Sequence, residues 1–253
     1  MVTKVKTTNE IKAMRESGLM LATVLDKLRN CLEPNMTTKD LANIAKVELE
    51  KLGGEPAFLN YQGFPDVICI SVNNEVVHGI PNPNRMINQG DIVGLDFGVK
   101  YRSMITDAAI SVIAGKPKQI GHIKLVENTL EALNVGIAAV HDQVRTGDIG
   151  SAIENYLNNF RYGIVKDLVG HGVGHDVHED PNIPNYGRKN SGPWLSKGMT
   201  IAIEPMVTLG TDRVKVADDG WTILTADGSY SAHFEHTVLI TEKGAEVLTT
   251  LSA

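Results

Sequence analysis

The chain has 253 residues, 42% of them hydrophobic and 21% charged, with a formal net charge of −6 and no long run of either sign. This is the balance of an ordinary globular domain, or of two halves around one core, and it excludes the clustered basic charge of a nucleic-acid or membrane-surface binder. Two cysteines, Cys31 and Cys69, are too few for a disulfide scaffold. The first residues lack the apolar core of a signal peptide, and no stretch nears the roughly 18 apolar residues of a bilayer span, so a reducing cytoplasm is the expected compartment.

The first element reads as a helix capped by Asn9, with Ile11, Met14, Gly18, Leu21, Leu25 and Leu28 in one stripe. A second helix starts at the cap Thr37 to Asp40, carries Leu41, Ile44, Ala45, Leu49 and Leu52 on one face, and ends at Gly53 and Gly54. Strands are expected over 67–72, 91–97 and 105–113. The pattern then restarts, with helices over 120–140 and 147–160 and strands near 201–207, 221–225 and 234–241.

The restart has a register. Displaced by 108 positions, Thr38 to Leu41 falls on Thr146 to Ile149, Gly90 falls on Gly198, and Ile92 to Asp96 falls on Thr200 to Glu204. Shared caps alone arise in unrelated segments. Two strands that each begin after Gly and end in a carboxylate point to a duplication, with halves of about 1–115 and 116–253 in one domain. A site between such halves takes equivalent ligands from each.

Five short segments carry chemistry. Asp96 and Asp107 lie in apolar strands with ten residues between them. A hairpin turning near Tyr101 and Arg102 sets them directly opposite each other, where two carboxylates repel unless a cation cancels their charge. Either one alone reads equally as a solvent-facing strand residue. The run Gly170 to Pro181 holds His171, His175 and His178 among glycines, which argues against a helix and for a backbone that brings imidazoles close to a site. Glu204 ends the apolar strand Ile201-Ala202-Ile203, and Glu235 sits in Ser231 to Val238. His78 follows a strand and precedes a Gly-Ile-Pro turn. Asp96, Asp107, His171, Glu204 and Glu235 form a thiolate-free set of four carboxylates and one imidazole, which suits two divalent cations about 3.5–4 Å apart rather than a structural zinc.

The order His-Gly-Ile-Pro, Asp, Asp, Gly-His-Gly-Val-Gly with His-Glu-Asp-Pro, Ile-Glu-Pro and Phe-Glu-His-Thr resembles the methionine aminopeptidases of the pita-bread fold over nearly the whole chain. The resemblance implies an α/β (α+β) fold of pseudo-twofold halves, with an antiparallel sheet covered by helices. It implies metal ligands at Asp96, Asp107, His171, Glu204 and Glu235, and catalytic or substrate-holding roles for His78, His178 and Glu204. It places the methionine pocket at Tyr61, Phe64, Cys69 and Trp221, residues that without the family read as core. Only 26 positions separate His178 from Glu204, as in the type I branch. Removal of the initiator methionine from peptides and nascent proteins, with a small second residue, is the implied activity. Mn, Fe, Co and Zn all suit the ligands. A monomer is expected, acting on chains that emerge from the ribosome, with no nucleic-acid or membrane partner. The sequence departs from the family at Ile105-Thr106, at Val177, where some bacterial members carry an aromatic pocket residue, and at the additional His175. The rival readings are an Xaa-Pro aminopeptidase and a non-catalytic binding protein on the same fold.

Overall fold

A computed structural model describes residues 3 to 251. Helix α1 (Thr8–Cys31) begins one residue before the expected Asn9 cap, because Thr7 and Glu10 form a reciprocal pair: the Thr7 hydroxyl accepts from the Glu10 N–H, and the Glu10 carboxylate accepts from the Thr7 N–H at 2.7 Å. Asn9 lies inside the first turn. Helix α2 (Thr38–Leu52) has the same device in Thr37 and Asp40 and ends at Gly53 in the left-handed region. Helices α3 (Ile120–Ala138) and α4 (Thr146–Leu157) pack against each other.

Nine strands form the main sheet: β1 (Glu55–Pro56), β2 (Cys69–Val72), β3 (Ile92–Tyr101), β4 (Met104–Ile113), β5 (Gly170–Gly172), β6 (Glu179–Ile183), β7 (Thr200–Ile203), β8 (Glu235–Ile240) and β9 (Ala245–Val247). The order is β1-β3-β4-β8-β7-β5-β6, with β2 also on β3 and β9 on β8, and every pairing is antiparallel. Late in the chain, β8 is nonetheless inserted at the centre, between β4 and β7.

The sequence expectations need four adjustments. The hairpin of β3 and β4 turns at Arg102 and Ser103, both with positive φ, one residue later than expected. Asp96 therefore faces Ala109, and Asp107 faces Gly98; the two aspartates are diagonal neighbours on one face, not direct partners. The strand expected over 201–207 breaks at Glu204-Pro205, since proline has no N–H for the ladder, and resumes as Met206–Thr208 in a smaller sheet. The strand expected over 67–72 begins at Cys69, and that over 221–225 begins at Ile223.

Two cores lie under the helices. One gathers Leu21, Leu25, Leu28, Leu41 and Leu49 of α1 and α2 with Val93, Leu95 and Phe97 of β3. The other gathers Leu125, Leu133, Ile149 and Ile153 of α3 and α4 with Ile201, Ile203 and Val238 of β7 and β8. Gly90 and Gly198, 108 positions apart, take part in similar pairs of backbone hydrogen bonds, although their partners Ala114 and Ile240 do not keep that spacing. The Gly90 N–H donates to Ala114 O at 2.7 Å, and the Gly198 N–H to Ile240 O at 2.8 Å. The Ala114 N–H donates to Asp91 O at 2.9 Å, and the Ile240 N–H to Met199 O at 3.0 Å. Asp40 and Asp148 each accept from the N–H three residues back. Among the described residues no helix is long and apolar enough to cross a membrane.

Candidate metal centre

A row of four residues crosses the sheet. Cys69 pairs with Asp96, Asp96 with Ala109, and Ala109 with Glu235. Directly paired residues share a face, so two carboxylates stand on either side of a methyl group that leaves the space between them open. Asp107 projects from the same face of β4, two residues along. Glu204 follows β7 at the end of its ladder with β8, and its backbone carbonyl accepts from Asn185 Nδ2 at 2.9 Å. His171 comes from β5, where a side chain at the preceding Gly170 would place its Cβ 2.3 Å from Ala202 O; glycine is what lets β5 approach β7.

Ligand atoms of Asp107, His171 and Glu235 lie within 4.8 Å of one another, all buried. His171 Nδ1 donates to Gly172 O at 2.9 Å, since a carbonyl can only accept, and Nε2 is left with its lone pair 3.4 Å from Glu204 Oε1. Two acceptors facing each other across that gap fit a cation between them. Asp96 Oδ1, Asp107 Oδ1 and Glu235 Oε1 are buried without a hydrogen-bond partner, which neutral protein surroundings rarely tolerate. Burial pushes Asp96 up to about 7. Burial, and then the neighbouring carboxylates, hold Asp107, Glu204 and Glu235 well above the usual carboxylate range. Burial, and then His178, hold His171 down at about 3, so its ring is neutral. Oxygen-rich, orphaned and mutually repelling, the donor set fits divalent metal.

One cavity brings every one of the site residues expected from sequence together. The five acidic and imidazole groups line it together with Tyr61, Phe64, Cys69 and Trp221, with the Phe64 and Trp221 rings edge to face at 5.3 Å. Cys69 is held protonated by burial and then by Asp96, which makes it a wall and not a thiolate ligand. His178 Nδ1 lies 3.0 Å from the Tyr61 hydroxyl, and its ring centroid lies 4.3 Å from that of His171, the two rings tilted by 59°. His78 takes a positive φ of 60° after a short strand, and burial, then His178, hold it down at about 4.

Three features escaped the sequence reading. Phe58 and Gln62 also line the cavity. Phe58, Tyr61 and Phe64 recur every third residue around a short 3₁₀ turn, a spacing that was open to view. Phe58 shares an apolar cluster with Val177, and of the two only Phe58 lines the cavity. His233 is buried, with Nε2 3.7 Å from Glu204 Oε2; lying two before Glu235, it shares the ligand's parity. His175, in contrast, is no part of the cavity lining. Its Nε2 meets Glu10 at 2.8 Å and its Nδ1 lies 3.5 Å from Glu179.

The sequence matches metallopeptidase family M24 over residues 12–242. The chain belongs to that family. Within M24 it is 43% identical to a methionine aminopeptidase of Mycoplasma capricolum, over 97% of each chain. It superposes on the crystal structure of the Thermotoga maritima methionine aminopeptidase with a TM-score of 0.96 and 42% identity, covering 98% of this chain and all of that one. A prolidase from Pyrococcus horikoshii has a TM-score of 0.78 at 23% identity, and this chain covers 63% of it; that likeness is one of fold. The chain has the pita-bread fold, and the close resemblance is to the methionine aminopeptidases.

Proposed function

We propose that this chain removes N-terminal methionine from peptides and nascent proteins, using two divalent metal ions and favouring a small second residue. The observation that carries the reading is the shared cavity, which brings five carboxylate and imidazole groups, three buried and two half-buried, together with aromatic and thiol side chains and with His78 and His178. Asp96, Asp107, His171, Glu204 and Glu235 hold the metals, which when bound lower the pKa of water and supply hydroxide at neutral pH. A slot of Phe58, Tyr61, Phe64, Cys69 and Trp221 suits an unbranched, polarizable thioether. The substrate's free amine points at the carboxylate end, which makes the activity an exopeptidase.

In this reading Glu204 carries a proton from the attacking water to the leaving nitrogen. The Tyr61 hydroxyl donates to His178 Nδ1, so Nε2 carries the proton and donates to the developing oxyanion. His78, neutral through burial, assists at the scissile nitrogen. The repeated hydrogen bonds at Gly90 and Gly198 support two halves of about 1–115 and 116–253, with Asp96 and Glu204 as equivalent ligands. The enzyme acts as a monomer in the cytoplasm on emerging chains.

The test is methionine release from Met-Ala-Ser, Met-Lys-Ser and, for the Xaa-Pro alternative, residue release from Ala-Pro-Ala. Chelated protein receives Mn, Co, Fe or Zn one at a time. Metal-dependent release from Met-Ala-Ser alone is expected. Cleavage of only Ala-Pro-Ala transfers the site to the Xaa-Pro reading, and two bound metals with no cleavage at all makes the substrate assignment wrong.

A further inference from the structure

His233 stands outside the proposed ligand set and does not line the cavity, yet its ring is only 4% exposed and its Nε2 has no hydrogen-bond partner. Two carboxylate oxygens lie in front of that nitrogen: Glu204 Oε2 at 3.7 Å and Glu235 Oε2 at 4.0 Å. The backbone that aims the ring is fixed from both sides. The Ser111 hydroxyl accepts from the His233 N–H and donates to the His233 carbonyl, each at 2.9 Å, and His233 pairs across the ladder with Met206, two residues beyond Glu204.

Glu204 thus lies between two imidazoles of opposite character. Toward Oε1, His171 presents a lone pair, because its Nδ1 proton is committed to Gly172 O. Toward Oε2, His233 is free to present a proton. We propose that His233 is a positioning residue for Glu204: its Nε2–H engages Oε2, fixes the rotation of the carboxylate, and leaves Oε1 directed at the His171 side. The present separation exceeds a hydrogen bond by about 0.7 Å, a gap closed by a small rotation of either side chain. Groups behind metal-binding carboxylates orient them and tune what they hold.

This inference rests on the metallopeptidase reading and deepens it. His233→Leu keeps bulk and removes the donor; His233→Gln keeps an N–H donor. Calorimetric titration with Mn²⁺ and steady-state kinetics on Met-Ala-Ser are measured for both and for wild type. In His233→Leu, kcat is expected to fall about 10- to 100-fold and Mn affinity about tenfold, with KM within about twofold and Mn stoichiometry unchanged. His233→Gln is expected to return kcat to within about threefold of wild type. Wild-type kcat and Mn affinity in His233→Leu overturn the proposal, as does a glutamine variant as slow as the leucine one. Loss of one Mn equivalent also overturns it, by making His233 a ligand. If the leucine variant does not fold, recovery of His233→Ala turnover by added imidazole supports the role and its absence overturns it. Wild-type protein that binds Mn and releases no methionine overturns the functional reading instead, and the Mn affinity of the variants still decides the role of His233.

Discussion

Asp96 and Glu235 stand on opposite sides of Ala109 in one row across the sheet, on strands that are not each other's neighbours. The space between two buried carboxylates is therefore the size of whatever side chain position 109 carries.

Ala109→Val fills that space. Packing is expected to lose about 1–3 kcal/mol from the added methyls, while Mn²⁺ stoichiometry by calorimetry drops by at least one and methionine release falls more than about 100-fold. A folded valine variant with wild-type metal content would show that the row is not where metal binds.

Glu204→Gln leaves the side chain's shape and removes its ability to take a proton. Turnover of Met-Ala-Ser is expected to fall about 100-fold or more with metal retained, measured by rapid kinetics alongside elemental analysis. Near-normal turnover with full metal content would remove Glu204 from proton transfer.

Gly98→Ala acts on the pocket through a neighbour. A Cβ there would lie 2.5 Å from Phe58 Cε1, and Phe58 lines the cavity. The ring has to move, so KM for Met-Ala-Ser is expected to rise about tenfold while kcat changes less. Restoring room with Phe58→Leu in the same chain should bring KM back down; failure to do so would disconnect Gly98 from the pocket.

The metal-free protein is expected to lose stability as pH rises from 6.5 to 8.5. Asp96 at about 7, and Asp107, Glu204 and Glu235 well above the usual range, keep their protons in the folded state after the unfolded chain has released them near 3.8 to 4.5. The folded state then binds more protons, and stability is lost as pH climbs through the folded values. His78, His171, His233 and His236, held at about 3 to 4, act oppositely, and because their unfolded value is 6.5 this opposing effect fades within about one unit above it, leaving the carboxylates to set the slope over the upper part of the range. Melting curves in chelator at pH 6.5, 7.5 and 8.5 read the slope, and the increment added by Mn²⁺ should widen with pH. A metal-free Tm that climbs over this range contradicts the account.

Lys6→Met breaks the ion pair between Lys6 and Glu179, which meet at 2.9 Å with side chains 0% and 1% exposed. Glu179 also accepts from the His175 and Asp176 N–H groups, so it holds the loop that carries His178. Leaving the buried carboxylate without its ammonium partner is expected to cost about 3–5 kcal/mol, read by denaturant unfolding. Lys6→Met with Glu179→Gln should be less damaging than Lys6→Met alone; equal loss would mean that packing, not charge, holds the loop.

The elements and the cluster were legible because their signals are local or chemically expensive. Capped helices with apolar stripes announce themselves, and carboxylates such as Asp96, Glu204 and Glu235 inside apolar strands demand an explanation. The register of β3 on β4 was not legible, because it depends on which two residues take positive φ, and Arg102 and Ser103 carry no glycine to mark the turn. Phe58 and His233 were hidden for another reason. A phenylalanine near a turn and a histidine beside a strand look like core packing until the ring's neighbours are known. His175 misled in the opposite sense: its nearness in sequence to His171 and His178 gave way to Glu10, 165 residues away.

The central place of β8 makes the enzyme indivisible with respect to chain length. A polypeptide stopped before residue 235 already contains Asp96, Asp107, His171 and Glu204, yet β4 and β7 have nothing between them to join the two sides of the sheet. Activity as a function of length is then a step rather than a slope, and during synthesis the chain gains its site only when β8 becomes free to insert between strands made before it.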